Sequence, residues 1–325
     1  MLGQGNNTTT HIVAPACDSN MTNVQWNFVA GLRLFTCTAT FWLSLVLLAV
    51  FLAKRMLQTP FNIYLINLLV ANLLYLALSS FHGVIQWIKA NWWGGFWLCN
   101  IYKYGIITPS ACMIWTEVLI TANRVWAVTF PHSYRFLHTR RLAVGTCVAM
   151  WMVVHVVCVP FLVMDAWWYS LPGEINGCHI NVDPQAVYSQ VIEISMADLP
   201  IILIMVTYPY LLWKTIMRKR PNNLKSIKPK TREYTFPTSL PASGNWRTFS
   251  DENRTSFIVL TWLTISVVVC LTPMTLVMLA GRFVNHDVPV AFYRAAIWLQ
   301  ELQATADGVI IFVIVKDLRD AMLEE

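Results

Sequence analysis

Seven predominantly apolar stretches divide the 325-residue chain, at approximately 28–53, 61–88, 97–128, 141–163, 187–213, 255–281 and 289–315. Each is long enough to cross a bilayer as a helix, which takes roughly 20 residues. Polar residues interrupt the second, third and last, so hydropathy marks their ends least sharply. The pattern predicts an all-α membrane protein: a seven-transmembrane helix bundle over 28–315, preceded by a polar tail, 1–27, and followed by a short segment, 316–325. In that last segment, KDLRDAMLEE, residues Leu318, Met322 and Leu323 share one helical face. This predicts a short amphipathic helix lying along the cytoplasmic membrane surface.

Composition agrees with the pattern. Only 12% of residues are charged and 56% are apolar, whereas a soluble domain carries about 25% charged residues. Fifteen tryptophans and eleven tyrosines suit the headgroup zone, where both rings are favoured. The net charge of +6 comes from bases in short blocks between apolar runs, so it sets membrane orientation and implies no nucleic-acid partner. Lys54, Arg55, Arg135, Arg140, Arg141, the group from Lys214 to Arg232, Lys316 and Arg319 fall on one side. Opposite them, near span ends, are only Arg33, Lys89, Lys103, Arg282 and Arg294. The basic side is therefore cytoplasmic and the N-terminus extracellular, at the plasma membrane.

The tail fits an outside location, with glycosylation sequons at Asn6, Asn7 and Asn20. The further match at Asn253 lies on the cytoplasmic side and should stay unmodified. No basic segment followed by an apolar run sits near Met1, so no cleaved signal peptide is expected. The one long connection, 214–254, is basic at first and then rich in Pro, Ser and Thr, as in FPTSLPASG. It reads as a partly disordered cytoplasmic loop, serving either as a solvated positive-inside segment or as a docking site for lipid or a partner. No internal repeat points to a transporter built from duplicated halves.

Five cysteines (Cys37, Cys112, Cys147, Cys158 and Cys270) fall within spans and read as packing residues. Cys99, at the outer start of span three, and Cys178, in the loop EINGCHI, both occupy an oxidising location. A bridge between them would pin that loop over the mouth of the bundle, leaving Cys17 over.

Motifs in almost every span follow in order. LQTPFNIYLINLLVANLL (57–74) carries an inner turn into span two, and WWGGFWLC (92–99) leads to the span-three cysteine. Arg124 follows Cys99 by 25 residues, with Pro131 and Tyr134 beyond it. Trp151 stands in span four, Pro200 and Tyr208 in span five, CLTP (270–273) in span six and DGVII (307–311) in span seven. Together these resemble the rhodopsin-like (class A) G-protein-coupled receptors, in a divergent, orphan-type form close to invertebrate peptide receptors. The resemblance covers about residues 30–323.

Departures from the family pattern are concentrated in its switch motifs. Asn123 replaces the acid of Asp-Arg-Tyr, Leu271 the span-six tryptophan, and Gly308 and Ile311 the proline and tyrosine of Asn-Pro-x-x-Tyr. Asn72 stands where an aspartate is usual, while Asp307 takes the usual asparagine position in span seven. Amide and acid have thus changed places across one polar site. Met113 also removes a small polar residue common beside it, which disfavours ordinary sodium binding.

A charge at the bilayer centre costs about 3 kcal/mol or more unless paired or wetted. That singles out Glu117, Arg124, Glu193, Asp198, Glu301 and Asp307. Glu117 precedes Arg124 by two helical turns, so both face the bundle. With Asn72 and Asp307 it forms an internal polar site, where two nearby carboxylates must share a proton or recruit a cation. The resemblance implies a G-protein switch involving Asn123, Arg124, Tyr208, Asp307 and Ile311. In it, the arginine is held at rest by its acidic neighbour and by an acid on span six, and on activation swings towards span five. Here Asn123 offers no charge, and the expected span-six position is Asn253, beside Asp251 and Glu252. A weaker clamp and raised ligand-independent signalling follow.

The resemblance also narrows the ligand. Retinal needs a span-seven lysine where this chain has Glu301, and amines use a span-three aspartate where it has Ile106. Around the mouth, Lys103, Tyr104, Glu193, Asp198, Arg282, Arg294, Trp298 and Glu301 surround a pocket with Ile106 and Leu271 deeper in. Rigid aromatic surface with charges of both signs suits a peptide. A small molecule or lipid, or a receptor active without ligand, is the alternative. A heptahelical enzyme would need a metal or nucleophile constellation, but the in-span His82 and His155 lack partners at ligand spacing. A channel or transporter would need charges through several spans. The expected partners are an extracellular ligand, a heterotrimeric G protein and the bilayer. No retinal, metal or other cofactor is expected apart from an internal cation.

Overall fold

The computed structural model describes residues 23–88, 95–169, 178, 180–181, 183–219, 245–283, 290–315, 318 and 320. The sequons, Cys17, much of the long connection 214–254 and most of segment 316–325 lie outside these. The described chain crosses seven times. Span one is Asn23–Ala53, span two Pro60–Ile88, span three Gly95–Thr129 and span four Arg140–Trp168. Span five runs through Ala186–Glu193, Ile194–Asp198 and Leu199–Lys219, span six through Asn245–Cys270 and Thr272–Phe283, and span seven is Val290–Ile314. A short helix, Pro131–Leu137, lies between spans three and four.

Six spans are long and apolar enough to qualify as membrane helices on that ground alone. The seventh carries Arg294, Glu301 and Asp307 along one helix, so its charges mask its role. Span four has the highest mean hydropathy of the six, yet only 28% of its apolar window is buried. Val148, Met152, Val153 and Val156 point outward from it. A soluble protein would bury such a helix; an apolar exterior is stable only against lipid.

Several boundaries differ from the expected ones. The first helix starts at Asn23, inside the stretch read as tail, and residues 214–219 and 245–254 are helical instead of loop. Span four continues to Trp168. Hydropathy marks only the apolar part of a helix, whereas its hydrogen-bond ladder continues into polar residues of adequate propensity. Leu318, from the expected surface helix, is buried in the main core, and Asp320 is exposed.

Local chemistry sets the helix ends and irregularities. Pro60 and Pro131 sit at helix starts, where a missing N–H costs nothing. The Thr139 hydroxyl caps span four, accepting the N–H of Leu142 at 3.3 Å. Gly95, at φ 65°, turns the chain into span three. Span five contains a π-helical turn at Ile194–Asp198, just before Pro200, which lacks an N–H to continue the ladder. Within the turn Met196 and Asp198 are buried. Span six breaks at Leu271, ahead of Pro273.

Specific contacts join the spans. Asn67 on span two accepts from Trp151 Nε1 at 2.9 Å and donates to Thr116 Oγ1 at 2.7 Å, linking spans two, three and four. Gly105 allows span three to approach span two so closely that a Cβ there would collide with Leu78. The Thr40 and Thr305 hydroxyls meet at 2.8 Å, closing span one on span seven. Cys37, Cys112, Cys147, Cys158 and Cys270 are free and buried, as expected of packing residues.

Two devices hold the connection between spans four and five. The Cys99–Cys178 disulfide is present, with Cα atoms 5.5 Å apart. Beside it, Lys103 Nζ lies 2.7 Å from Asp165 Oδ2, the two side chains being 6% and 0% exposed. Asp165 Oδ1 also accepts the Asn181 backbone N–H at 2.8 Å and faces Gln185 Nε2 at 3.4 Å. One buried carboxylate therefore fastens span three, span four and the approach to span five. Removing one member of a buried ion pair strands the other, at a cost of about 3–5 kcal/mol. Thermal unfolding of the detergent-solubilised protein should show a large loss for Asp165→Ala. Much of that loss should be recovered when Lys103→Met is added to Asp165→Leu.

Candidate functional site

The buried polar residues form three levels. At the outer level, Arg33 on span one pairs with Glu301 on span seven. Lys103 is committed to Asp165. Tyr104 turns towards span four, where its hydroxyl lies 2.7 Å from His155 Nε2. Three of the residues expected to line the mouth are thus engaged by other side chains. Ile106 packs half-buried against the main core. Leu271 is buried with Ile114, Ile201, Ile204 and Val267 between spans three, five and six. Glu193 and Trp298 are half-buried and Asp198 is buried, while the side chains of Arg282 and Arg294 lie outside the described residues.

The middle level is the internal polar site. Glu117 Oε1 accepts a 2.6 Å hydrogen bond from Gln303 Nε2, both residues being buried. Asp307 lies one helical turn beyond Gln303 and within electrostatic reach of Glu117, and Asn72 faces its carboxyl group. Both carboxyl oxygens of Asp307, both polar atoms of Asn72, Glu117 Oε2 and Gln303 Oε1 make no hydrogen bond to a described residue. A small cavity lined by Tyr75, Ser110, Met113, Glu117, Leu271 and Gln303 opens beside this level. Such concentrated unsatisfied oxygen is unfavourable in an apolar interior, and an all-oxygen donor set suits a proton or a hard cation. Among the described residues, no group of three His, Cys, Asp or Glu side chains is arranged to hold a metal ion.

The inner level surrounds Arg124. Asn123 and Arg124 are both 4% exposed. Asn123 Nδ2 points to the Tyr134 hydroxyl at 3.4 Å. The guanidinium carbon of Arg124 lies 3.9 Å from the centroid of the Phe61 ring on span two. Nearby, Tyr134 stacks on His138 with centroids 4.3 Å apart, and Trp126 meets Tyr134 edge-on. Burial and the facing Arg124 push the His138 imidazole down to about 4, so it is neutral at pH 7 and adds no second cation. Tyr208 is half-buried and Ile311 fully buried; the side chains of Asp251, Glu252 and Asn253 lie outside the described residues.

Sequence reading missed Asp165, Gln303 and Phe61. Gln303 carried a usable signal, standing four residues before Asp307 and hence on the same helix face. Asp165 lay just beyond the expected end of span four. Phe61, an aromatic residue at the start of an apolar span, carried none.

The chain matches the family described as 7 transmembrane receptor (rhodopsin family) over residues 43–310. It is 26% identical to the mouse alpha-1A adrenergic receptor over 284 residues, covering 82% of this chain and 60% of that protein. It is 28% identical to dopamine receptor 2 of Drosophila melanogaster over 188 residues, covering 57% of this chain and 34% of the relative. With the allatostatin-A receptor of Bombyx mori it shares 27% identity over 117 residues, 36% of this chain and 32% of the relative. The chain therefore matches 60% or less of the length of each of these proteins. Proteins of the matched family are signalling receptors, not enzymes. With its seven crossings, its Cys99–Cys178 bridge and a family match over most of its length, the chain belongs to the rhodopsin family of seven-transmembrane receptors.

Proposed function

We propose that this chain is a cell-surface receptor, its N-terminus outside, that passes the binding of an extracellular ligand to heterotrimeric G proteins through Arg124. The observation that carries the reading is the inner level. A guanidinium is buried at the cytoplasmic end of span three, 25 residues after the bridged Cys99. Its neighbour Asn123 points to Tyr134 of the short helix Pro131–Leu137, just before His138, which faces Arg124. Burying such a group without a task is unfavourable.

A peptide is the ligand class this reading favours. In the sequence, Trp298 together with Glu193, Asp198, Arg282 and Arg294 brings an aromatic ring and charges of both signs to spans five, six and seven. The likeness to the Bombyx mori allatostatin-A receptor points the same way. Amine ligands of the kind two relatives are named for find no acid at Ile106. In cells expressing the chain, a peptide library scored for second messengers should yield a response that depends on peptide and G protein. A response to small polar or lipid compounds alone would replace the peptide reading, and ligand-independent ion flux without G-protein activation would overturn the receptor reading.

The middle level serves as a coupling element whose charge state sets the balance between resting and active forms. Glu117 and Asp307 face one another across Gln303 and Asn72, and two close carboxyl groups hold a proton or attract a cation between them. Bound cation would be held by Asn72, Glu117, Gln303 and Asp307 and would supply positive charge at that point. Signalling should then respond to pH and to sodium, and Glu117→Gln should remove most of that response at equal surface expression. An unchanged response in the Glu117→Gln variant would sink the idea.

A further inference from the structure

Thr264 is a polar residue on the apolar inner face of span six. Leu260, Leu263 and Val267, three or four residues apart on that helix, are buried, and Thr264 is buried among them. A threonine inside a helix can give its hydroxyl to the carbonyl four residues back. Thr116, Thr121 and Thr261 do so, at 2.6, 2.8 and 2.9 Å. The Thr264 hydroxyl makes no hydrogen bond to a described residue. Burying a hydroxyl in that condition is unfavourable, and a valine would fill the same space without the cost.

Its counterpart faces the same gap. Glu117 Oε1 is taken by Gln303 on span seven at 2.6 Å, while Oε2 makes no hydrogen bond to a described residue. One small cavity between spans three, five and six is lined by Glu117, Thr121, Ile204, Leu260, Leu263 and Thr264. Around it, Glu117 and Thr264 hold unpaired oxygens, whereas the Thr121 hydroxyl is given to the Glu117 carbonyl. The gap is too small for a bridging water, so a direct bond is what would satisfy both oxygens. Span six has a joint that permits the approach. It breaks at Leu271, ahead of Pro273, so Asn245–Cys270, which carries Thr264, can pivot against Thr272–Phe283.

We propose that Thr264 is the span-six partner of Glu117: when the cytoplasmic half of span six closes on span three, its hydroxyl meets Glu117 Oε2, and this bond holds the resting form. The proposal rests on the reading of the Glu117 level as the coupling element. Glu117 then grips span seven through one oxygen and span six through the other, so a shift of span seven at Gln303 is felt by span six. The bond draws span six over the cytoplasmic end of span three, where Arg124 would meet the G protein. A hydroxyl both donates and accepts, so the bond forms whether Glu117 is ionised or protonated.

Two measurements on the full chain test this. In membranes at matched surface expression and without ligand, Thr264→Val should raise nucleotide exchange on a panel of purified heterotrimeric G proteins about three- to tenfold, as expected for loss of one buried hydrogen bond. Thr264→Ser, which keeps the hydroxyl, should restore the low exchange, and Thr264→Val should add nothing in a Glu117→Leu background. In detergent, Thr264→Val should lower the unfolding temperature, again only when Glu117 is present. A Thr264→Val variant as stable as the unmodified chain, or more so, would overturn the pairing, as would either effect persisting with Glu117→Leu. Exchange unchanged or lowered by Thr264→Val, with the loss of stability intact, would overturn the bond's place in the resting form. If both effects hold while Glu117→Gln leaves the responses to pH and sodium unchanged, the proton- or cation-sensitive reading falls and the pairing stands.

Discussion

Burying charge between apolar helices is the constraint on which the rest of this molecule depends. In lipid there is no solvent to fall back on, so each buried ionic group must be answered from another span. Lys103 is answered by Asp165, Arg33 by Glu301 and Glu117 by Gln303, and Arg124 lies against the ring of Phe61. These pairings join span three to spans four, seven and two, and span one to span seven. The apolar contacts supply most of the buried area, but they discriminate poorly among helix arrangements in a medium as apolar as themselves. Polar pairings fix which helix meets which.

The same constraint separates structural charges from functional ones. Lys103 and Asp165 are matched one to one, with the second Asp165 oxygen taken by the Asn181 backbone. Such a site has no free valence and acts as a fastening. The middle level is different: six polar atoms on Asn72, Glu117, Gln303 and Asp307 make no hydrogen bond to a described residue. The arrangement concentrates acceptors and two acids where the family resemblance implies one acid and one amide. Arg124 is buried as well, with the Phe61 ring centroid 3.9 Å from its guanidinium carbon.

Much of the architecture was legible in the sequence because lipid imposes strong one-dimensional rules. Length of apolar run gave the seven crossings, and location gave the Cys99–Cys178 bridge. The cost of buried charge singled out Glu117, Arg124 and Asp307, all of which are buried. Pairings were not legible. Asp165 lies 62 residues from Lys103 and Glu301 lies 268 from Arg33, and no local periodicity reports such distances. Lys103 and Glu301 therefore looked like free ligand anchors at the mouth, whereas each is committed inside the bundle. The π-helical turn at Ile194–Asp198 was hidden for a related reason: the substitution of one hydrogen-bond register for another leaves the apolar pattern nearly unchanged.

The central claim is that Arg124 remains the switch of a signalling receptor although its adjacent carboxylate is gone. Its most direct measurement is G-protein nucleotide exchange by the purified chain in lipid nanodiscs without ligand, set beside the Arg124→Ala variant. The account predicts exchange clearly above the receptor-free rate for the unmodified chain and a fall to that rate for Arg124→Ala. Exchange by the unmodified chain no greater than that of the Arg124→Ala variant would contradict it.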